Sequence, residues 1–169
     1  RDTDRSRGLG DVYKRQINVL SALEMYNAVI KYSSSADIII MAAAVADYRP
    51  IKAETDKIKK SEQTITINLE RTDDILSAVC KNRKKNQFIC GFSMETENLI
   101  ENSRKKLYKK GCDMIAANNL KIEGAGFGTD TNVLTLITKS FEEELPIMTK
   151  EEAADRILDE AVKKTGDNQ

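Results

Sequence analysis

A chain of 169 residues is long enough for one domain that buries most of the surface exposed by its unfolded form, so it needs neither a metal nor a disulfide to fold. Lysine plus arginine and aspartate plus glutamate each number 27, which leaves no net field to gather nucleic acid or an anionic membrane and confines electrostatic function to local clusters. There is no histidine, which removes Ser-His and Cys-His mechanisms and the commonest transition-metal ligand.

Cys80, Cys90 and Cys112 are widely spaced inside periodic or apolar segments and read as reduced structural thiols of a cytoplasmic protein, with a nucleophilic cysteine as the lesser alternative. No apolar run approaches the roughly 20 residues needed to cross a bilayer. No signal-peptide pattern opens the chain either.

The first sixteen residues, RDTDRSRGLGDVYKRQ, lack apolar periodicity. Their end, DVYKRQ from Asp11 to Gln16, back-translates to GATGTGTATAAGAGACAG, which resembles the end of a transposase-type sequencing adapter. Residues 1–16 are therefore expected to be artefactual, 17–164 to be part of a domain entered midway, and 165–169 to fray as a tail.

Ser21-Ala22-Leu23-Glu24 has capping-box spacing and predicts a helix over about 22–32, with Leu23, Tyr26, Ala28 and Ile30 near one face. Ala36 to Ala44 is a continuous β-branched run, as in a central strand covered on both sides. Thr64 to Leu69 alternates with period two and reads as a strand with one exposed face. Asp73 or Asp74 then caps a helix to about Lys84, and Gln87 to Phe92 is another buried strand. The segment 98–110 suits a helix stopped by Gly111 in the left-handed conformation glycine tolerates. Cys112 to Asn118 is strand-like, a glycine-rich loop runs to Asp130, and Asn132 to Thr138 is a strand. A second capping box, Thr149-Lys150-Glu151-Glu152, begins a helix through about Lys163.

Buried strands alternating with amphipathic helices predict a three-layer, Rossmann-like α/β fold with a mostly parallel sheet, incomplete at the N-terminus. Ligands in such sheets sit beyond the carboxyl ends of the strands. The segments AAAVADYRP, GFSMET and AANNLKIEGAGFGTD all follow predicted strands, which directs them to one rim.

Each candidate on that rim also has an ordinary structural explanation. Ala42 to Ala46 suits close approach of a ligand or plain helix–sheet packing, and Asp47 suits a ligand hydrogen bond or a turn. Lys57, Lys59 and Lys60 suit phosphates or a solvated surface. Gly91-Phe92-Ser93 suits a stacking platform or a strand end with a core aromatic. Lys106 and Lys110 lie four apart on one helical face, where they reach a common anion or simply favour the helix C-terminus. Gly124 to Gly128 is not a dinucleotide fingerprint and suits glycine-permitted loop geometry, although Phe127 within it and Asp130 after it are candidate pocket residues. Jointly, small residues, a carboxylate, an aromatic and lysines suit a nucleotide with several phosphates.

AAAVADYRP, then DKIKK, GFSMET, KKGCDMIAAN and GAGFGTDTNVLTLI, in this order and spacing, resemble phosphopantothenoylcysteine synthetase, the ligase half of a bacterial bifunctional coenzyme A biosynthesis flavoprotein. The likeness runs from about Ile17 to Val162. It implies CTP-dependent ligation of 4′-phosphopantothenate to L-cysteine through an acyl-cytidylate, with Mg2+ on the triphosphate, in a cytoplasmic homodimer. FMN would belong only to a decarboxylase domain absent from this chain. By the same resemblance Asp47, Asp73, Asp74, Ile75 and Leu76 contact the nucleotide and Phe92 lies beside its base. Lys57, Lys106 and Lys110 meet the phosphates, and Ala43 and Ala44 fall where the acyl intermediate is held. Lys57 to Lys60 would lie in a loop that closes over the site or reaches across the dimer.

The family commonly has Asn-Pro-Asp-Ile where this chain has Thr72-Asp73-Asp74-Ile75. Its first strand, its glycine-rich turn and an asparagine that stabilises the acyl-cytidylate would precede Ile17, so the chain alone is expected to be nearly inactive. The α/β pattern alone also suits a nicotinamide-dependent oxidoreductase, which lacks its glycine fingerprint here, and the missing catalytic groups suit a non-enzymatic nucleotide-sensing or assembly module.

Overall fold

A computed structural model of the chain describes residues 16–52, 56, 64–119 and 130–166. In chain order the elements are α1 (Ala22–Ser33), β1 (Ile38–Met41), β2 (Tyr48–Pro50), β3 (Leu69–Arg71), α2 (Ile75–Lys81), β4 (Phe88–Glu95), α3 (Leu99–Lys110), β5 (Met114–Asn119), β6 (Thr131–Asn132), β7 (Leu134–Thr138), β8 (Glu142–Glu144), β9 (Met148–Thr149) and α4 (Lys150–Gly166).

Both capping boxes form. The Glu24 amide donates to Ser21 Oγ at 3.2 Å and the Leu20 amide donates to Glu24 Oε2 at 2.7 Å. At α4 the Thr149 amide and hydroxyl donate to Glu152 Oε2 at 2.8 and 2.9 Å, and the Glu152 amide donates back to Thr149 Oγ1 at 3.2 Å. These bonds satisfy amides that no helical carbonyl can reach. The inward stripe of α1 is Met25, Tyr26, Val29 and Ile30. Leu23, expected on that face, is exposed, because a 3.6-residue period carries the stripe through 25–26 and 29–30.

The main sheet has the order β1-β4-β5-β7-β8. β1, β4 and β5 pair in parallel, while β7 is antiparallel to both its neighbours, so four of the five strands share one direction. The mostly parallel α/β architecture expected from the alternation of elements is the one observed. Parallel pairs need crossovers, and α2 and α3 supply them. One sheet face packs Ile39, Ile89, Ile115 and Ile137 against α1, α2 and α3. The other packs Phe88, Cys90, Met114 and Leu136 against Ala153, Ile157 and Ala161 of α4, which recur every fourth residue. Three layers result.

Buried polar links fix the layers. Gln87 Nε2 donates to the carbonyls of Ser33 and Ala36 at 2.6 and 2.7 Å, tying the end of α1 to the start of β4. The buried hydroxyls of Ser93 and Ser103 meet at 2.6 Å and clamp α3 onto β4. Gly111 ends α3 at φ 76° and donates its amide to the Leu107 carbonyl at 2.9 Å, as its sequence position foretells.

Some segments differ from the sequence reading. The expected strand over 64–69 is displaced: only Leu69–Arg71 is strand, and it pairs antiparallel with Tyr48–Pro50 in a separate ribbon. Among the described residues no layer covers that ribbon, and Ile65, Ile67 and Leu69 are 58, 65 and 55% exposed, so the alternating pattern marks no buried face there. The run 36–44 narrows to Ile38–Met41, and α2 stops at Lys81 rather than Lys84. β8 escapes a hydrophobic reading because it is Glu-Glu-Glu, a charged strand at the sheet edge, where charge deters pairing with other chains. Finally, α4 continues through Gly166, so Thr165 and Gly166 are helix and not tail.

Candidate functional site

The carboxyl ends of β1 and β4 open into a cleft of about 550 Å3, within the size range of small-ligand sites. Its walls come from four segments. The exit of β1 contributes Met41, Ala43, Val45 and Asp47, and the exit of β3 contributes Arg71 and Thr72. The start of α2 contributes Asp73, Asp74, Ile75, Leu76 and Ser77, and the far half of α3 contributes Lys106, Lys109 and Lys110, with Phe92 at the end of the floor.

The chain brings these segments together by identifiable bonds. The Thr72 amide donates to the Asp47 carbonyl at 2.9 Å and the Thr72 hydroxyl donates to the Ala46 carbonyl, so the β2–β3 ribbon closes back on its own base. Asp74 is the N-cap of α2 and accepts the Ser77 amide at 3.0 Å. Its second carboxylate oxygen pairs with the Lys110 ammonium across the cleft. Lys106 Nζ donates to the Phe92 carbonyl at 2.7 Å.

Electrostatically, Arg71, Lys106, Lys109 and Lys110 face Asp47, Asp73 and Asp74. Two of the lysines are held by internal partners that an incoming anion can replace, so they are oriented before any ligand arrives. The position of Lys109 and Lys110 in the last turn of α3 also suits the negative end of that helix.

The role of glycine at position 91 differs from a ligand platform. A Cβ there would lie 2.6 Å from Leu76 Cδ2 and 3.0 Å from Ile115 Cδ1, so the absent side chain makes room for α2 to press against the sheet. Phe92 borders the cleft, yet its ring packs with the α4-side core; the group that meets Lys106 is its main-chain carbonyl.

Of the residues singled out from sequence, Ala43, Asp47, Asp73, Asp74, Ile75, Leu76, Phe92, Lys106 and Lys110 line this one cleft, while the adjacent Ala44 is outside its lining. Asp130 is also outside it, its carbonyl accepting the Lys150 amide at 3.0 Å. Lys57, Lys59, Lys60 and the segment Gly124 to Gly128, with Phe127, lie outside the described residues. Sequence reasoning missed Arg71, Ser77 and Lys109. Lys109 had a readable signal in its place beside Lys110, and Ser77 in its capping distance from Asp74.

The family model for the DNA/pantothenate metabolism flavoprotein C-terminal domain matches residues 11–165. The chain belongs to this family. It is 40% identical over 168 residues to the coenzyme A biosynthesis bifunctional protein CoaBC of Bacillus subtilis (strain 168), covering 97% of this chain and 40% of that protein. It is also 43% identical over 143 residues, 84% of this chain and 40% of the relative, to a cysteine/cysteine sulfinic acid decarboxylase from an unknown prokaryotic organism. The chain thus spans about two fifths of the length of these relatives. Among solved structures, the C-terminal domain of a CoaBC superposes with a TM-score of 0.71 at 39% identity, covering 89% of this chain and 68% of that one. The family therefore accounts for the fold. The nicotinamide oxidoreductase reading gains no support from any of these likenesses.

Among the described residues no group of three Cys, Asp or Glu is placed to hold a metal by itself. No described helix is long and apolar enough to cross a membrane.

Proposed function

We propose that the cleft binds CTP and that the chain serves coenzyme A biosynthesis as part of a phosphopantothenate–cysteine ligase. One observation carries this reading: Lys106, Lys110 and Asp47, distant in sequence, share a single cleft at the carboxyl ends of parallel strands. The family to which the chain belongs supplies the reaction class.

In this reading the carboxylate of 4′-phosphopantothenate attacks the α-phosphorus of CTP. Pyrophosphate leaves, and the amine of L-cysteine then attacks the acyl carbon, releasing CMP. The chain supplies charge and alignment rather than a general base, which is consistent with its lack of histidine. Lys106 and Lys110 exchange their internal acceptors for phosphate oxygens, and Lys57 adds a third cation. Asp47 accepts a hydrogen bond from the nucleotide, Asp73 to Leu76 shape its other side, and Phe92 lies at the base end. Ala43 leaves room for the acyl group.

The oxygen donors of the cleft fit Mg2+, which takes few protein carboxylates and several phosphate or water ligands. Asp74 is engaged by Ser77 and Lys110, which leaves Asp47 and Asp73 as the carboxylates to face the ion. When bound, the ion would neutralise charge on the triphosphate.

FMN belongs to a decarboxylase segment outside this chain. The ligase works in the cytoplasm as a homodimer, and the exposed apolar ribbon residues Tyr48, Ile51 and Leu69, at 54, 60 and 55% exposure, suit burial against a second copy.

Thermal unfolding of the chain with CTP or NAD tests the assignment, since a ligand that binds only the folded state raises its stability. A rise with CTP and none with NAD is expected. A rise with NAD alone would overturn the reading.

A further inference from the structure

At the opposite end of the sheet from the cleft, Cys80 in the last turn of α2 and Cys112 just before β5 bring their sulfurs to 3.7 Å. Both thiols are buried and free, and they come from segments 32 residues apart. Their placement is fixed on both sides. Gly111, in the left-handed conformation, turns the chain from α3 into Cys112, whose amide donates to the Leu107 carbonyl at 3.3 Å. Arg83, one turn beyond Cys80, pairs with Asp113 at 2.7 Å and donates to the Gly111 carbonyl at 3.4 Å. Those bonds hold the end of α2 against the start of β5.

The third thiol is different. Cys90 lies among residues of the α4-side core, and burial pushes its pKa up to about 12. The Cys80 thiol is instead drawn below its ordinary value, first by a hydrogen bond from Cys112 and then by the Arg83 charge. Thiolate, not thiol, attacks an oxidant.

We propose that Cys80 and Cys112 form a disulfide site: with hydrogen peroxide they close one bond within the chain, joining α2 to β5, while Cys90 stays a thiol. The Cys80 thiolate attacks one peroxide oxygen, the O–O bond breaks, and the departing hydroxide takes a proton to become water. The Cys80 sulfenic acid that remains is attacked by the Cys112 sulfur; the S–O bond breaks, and the hydroxyl leaves with the Cys112 proton as a second water. Two thiols are oxidised by two electrons and one peroxide is reduced to two waters. A disulfide bond is about 2.05 Å long, so the sulfurs must approach further. Both project from segment ends, the last turn of α2 and the turn at Gly111, where a small adjustment disturbs little of the sheet.

The test treats the 169-residue chain with hydrogen peroxide, then unfolds it and counts thiols. Three before treatment and one after is expected, with a peptide map linking Cys80 to Cys112 within one chain. The oxidised chain should melt several degrees higher, because the link restricts its unfolded state, and dithiothreitol should reverse both changes. Cys90→Ser should lose every thiol on treatment and Cys80→Ser should keep both of its thiols, whereas Cys112→Ala should form no link and its Cys80, lacking a resolving thiol, should stop as an oxygen adduct. In the unsubstituted chain, survival of all three thiols, addition of oxygen without a link, or a link that joins two chains would each overturn the proposal.

Discussion

Lys106 and Phe92 are joined across the floor of the cleft, the lysine ammonium donating to the phenylalanine carbonyl at 2.7 Å. A neutral carbonyl is a weaker partner for an ammonium than a phosphate oxygen, so this bond holds the lysine in place without competing strongly with a nucleotide. Lys106→Gln removes the charge and keeps much of the length. CTP affinity should fall about 10- to 100-fold, the range expected for one hydrogen bond to a charged group, while the unfolding midpoint stays nearly constant. Affinity within twofold of the unsubstituted chain would remove Lys106 from the phosphate site.

Gly91 is held to glycine by packing. With a Cβ 2.6 Å from Leu76 Cδ2, Gly91→Ala should cost about 1–3 kcal/mol by overpacking. Adding Leu76→Ala should recover part of that loss. Urea unfolding of the two single variants and the double variant measures the coupling. Losses that simply add would mean that Leu76 is not the obstructing group.

Asp74 serves α2 and Lys110 at once, and two substitutions separate the roles. Asp74→Asn keeps a good N-cap but loses the charge facing Lys110; Asp74→Ala loses both. The alanine variant should be less stable than the asparagine variant by about 1 kcal/mol in urea unfolding. Equal stability of the two would remove the cap from the list of contributions.

The start of α4 makes stability depend on acid. Hydrogen bonds from the Thr149 amide and hydroxyl hold the Glu152 carboxyl below its ordinary value of 4.5. The unfolded chain therefore binds this proton more readily than the folded one. The contribution is complete above that ordinary value and is lost as pH falls through the lower folded value. Glu101, held low by its hydrogen bond with Lys105, acts with the same sign. Glu152→Gln should flatten, without abolishing, the acid slope of the urea midpoint below about pH 5. An unchanged slope would show that the capping carboxylate carries no linkage.

The helices were legible because their ends are chemical: Ser21, Asp74, Thr149 and Gly111 act through hydrogen bonds and a backbone conformation encoded locally. The parallel strands β4 and β5 were legible as buried runs, but β1, read as a central strand covered on both sides, lies at the edge of the described sheet with Ile40 37% exposed. The β2–β3 ribbon was not legible, since its pairing joins Tyr48 to Arg71 across a long excursion and the isoleucines just before β3, Ile65 and Ile67, are exposed. β8 was not either, because its three glutamates carry no apolar signal and its place depends on the neighbouring β7. In the cleft, residues on strand exits and on one face of α3 could be grouped from sequence. Arg71 could not, because its position depends on the ribbon. The part played by Gly91 was hidden for a similar reason: the side chain that needs its space, Leu76, arrives from another element.

Calorimetric titration of the chain with CTP and with CMP, each at low and high salt, tests most directly whether one cleft gathers cations for a polyphosphate. CTP should bind more tightly than CMP, the difference should shrink with salt, and it should largely vanish in Lys106→Gln/Lys110→Gln. Equal affinity for the two nucleotides, or a preference for CTP that survives the loss of both lysines, would contradict the assignment of this cleft.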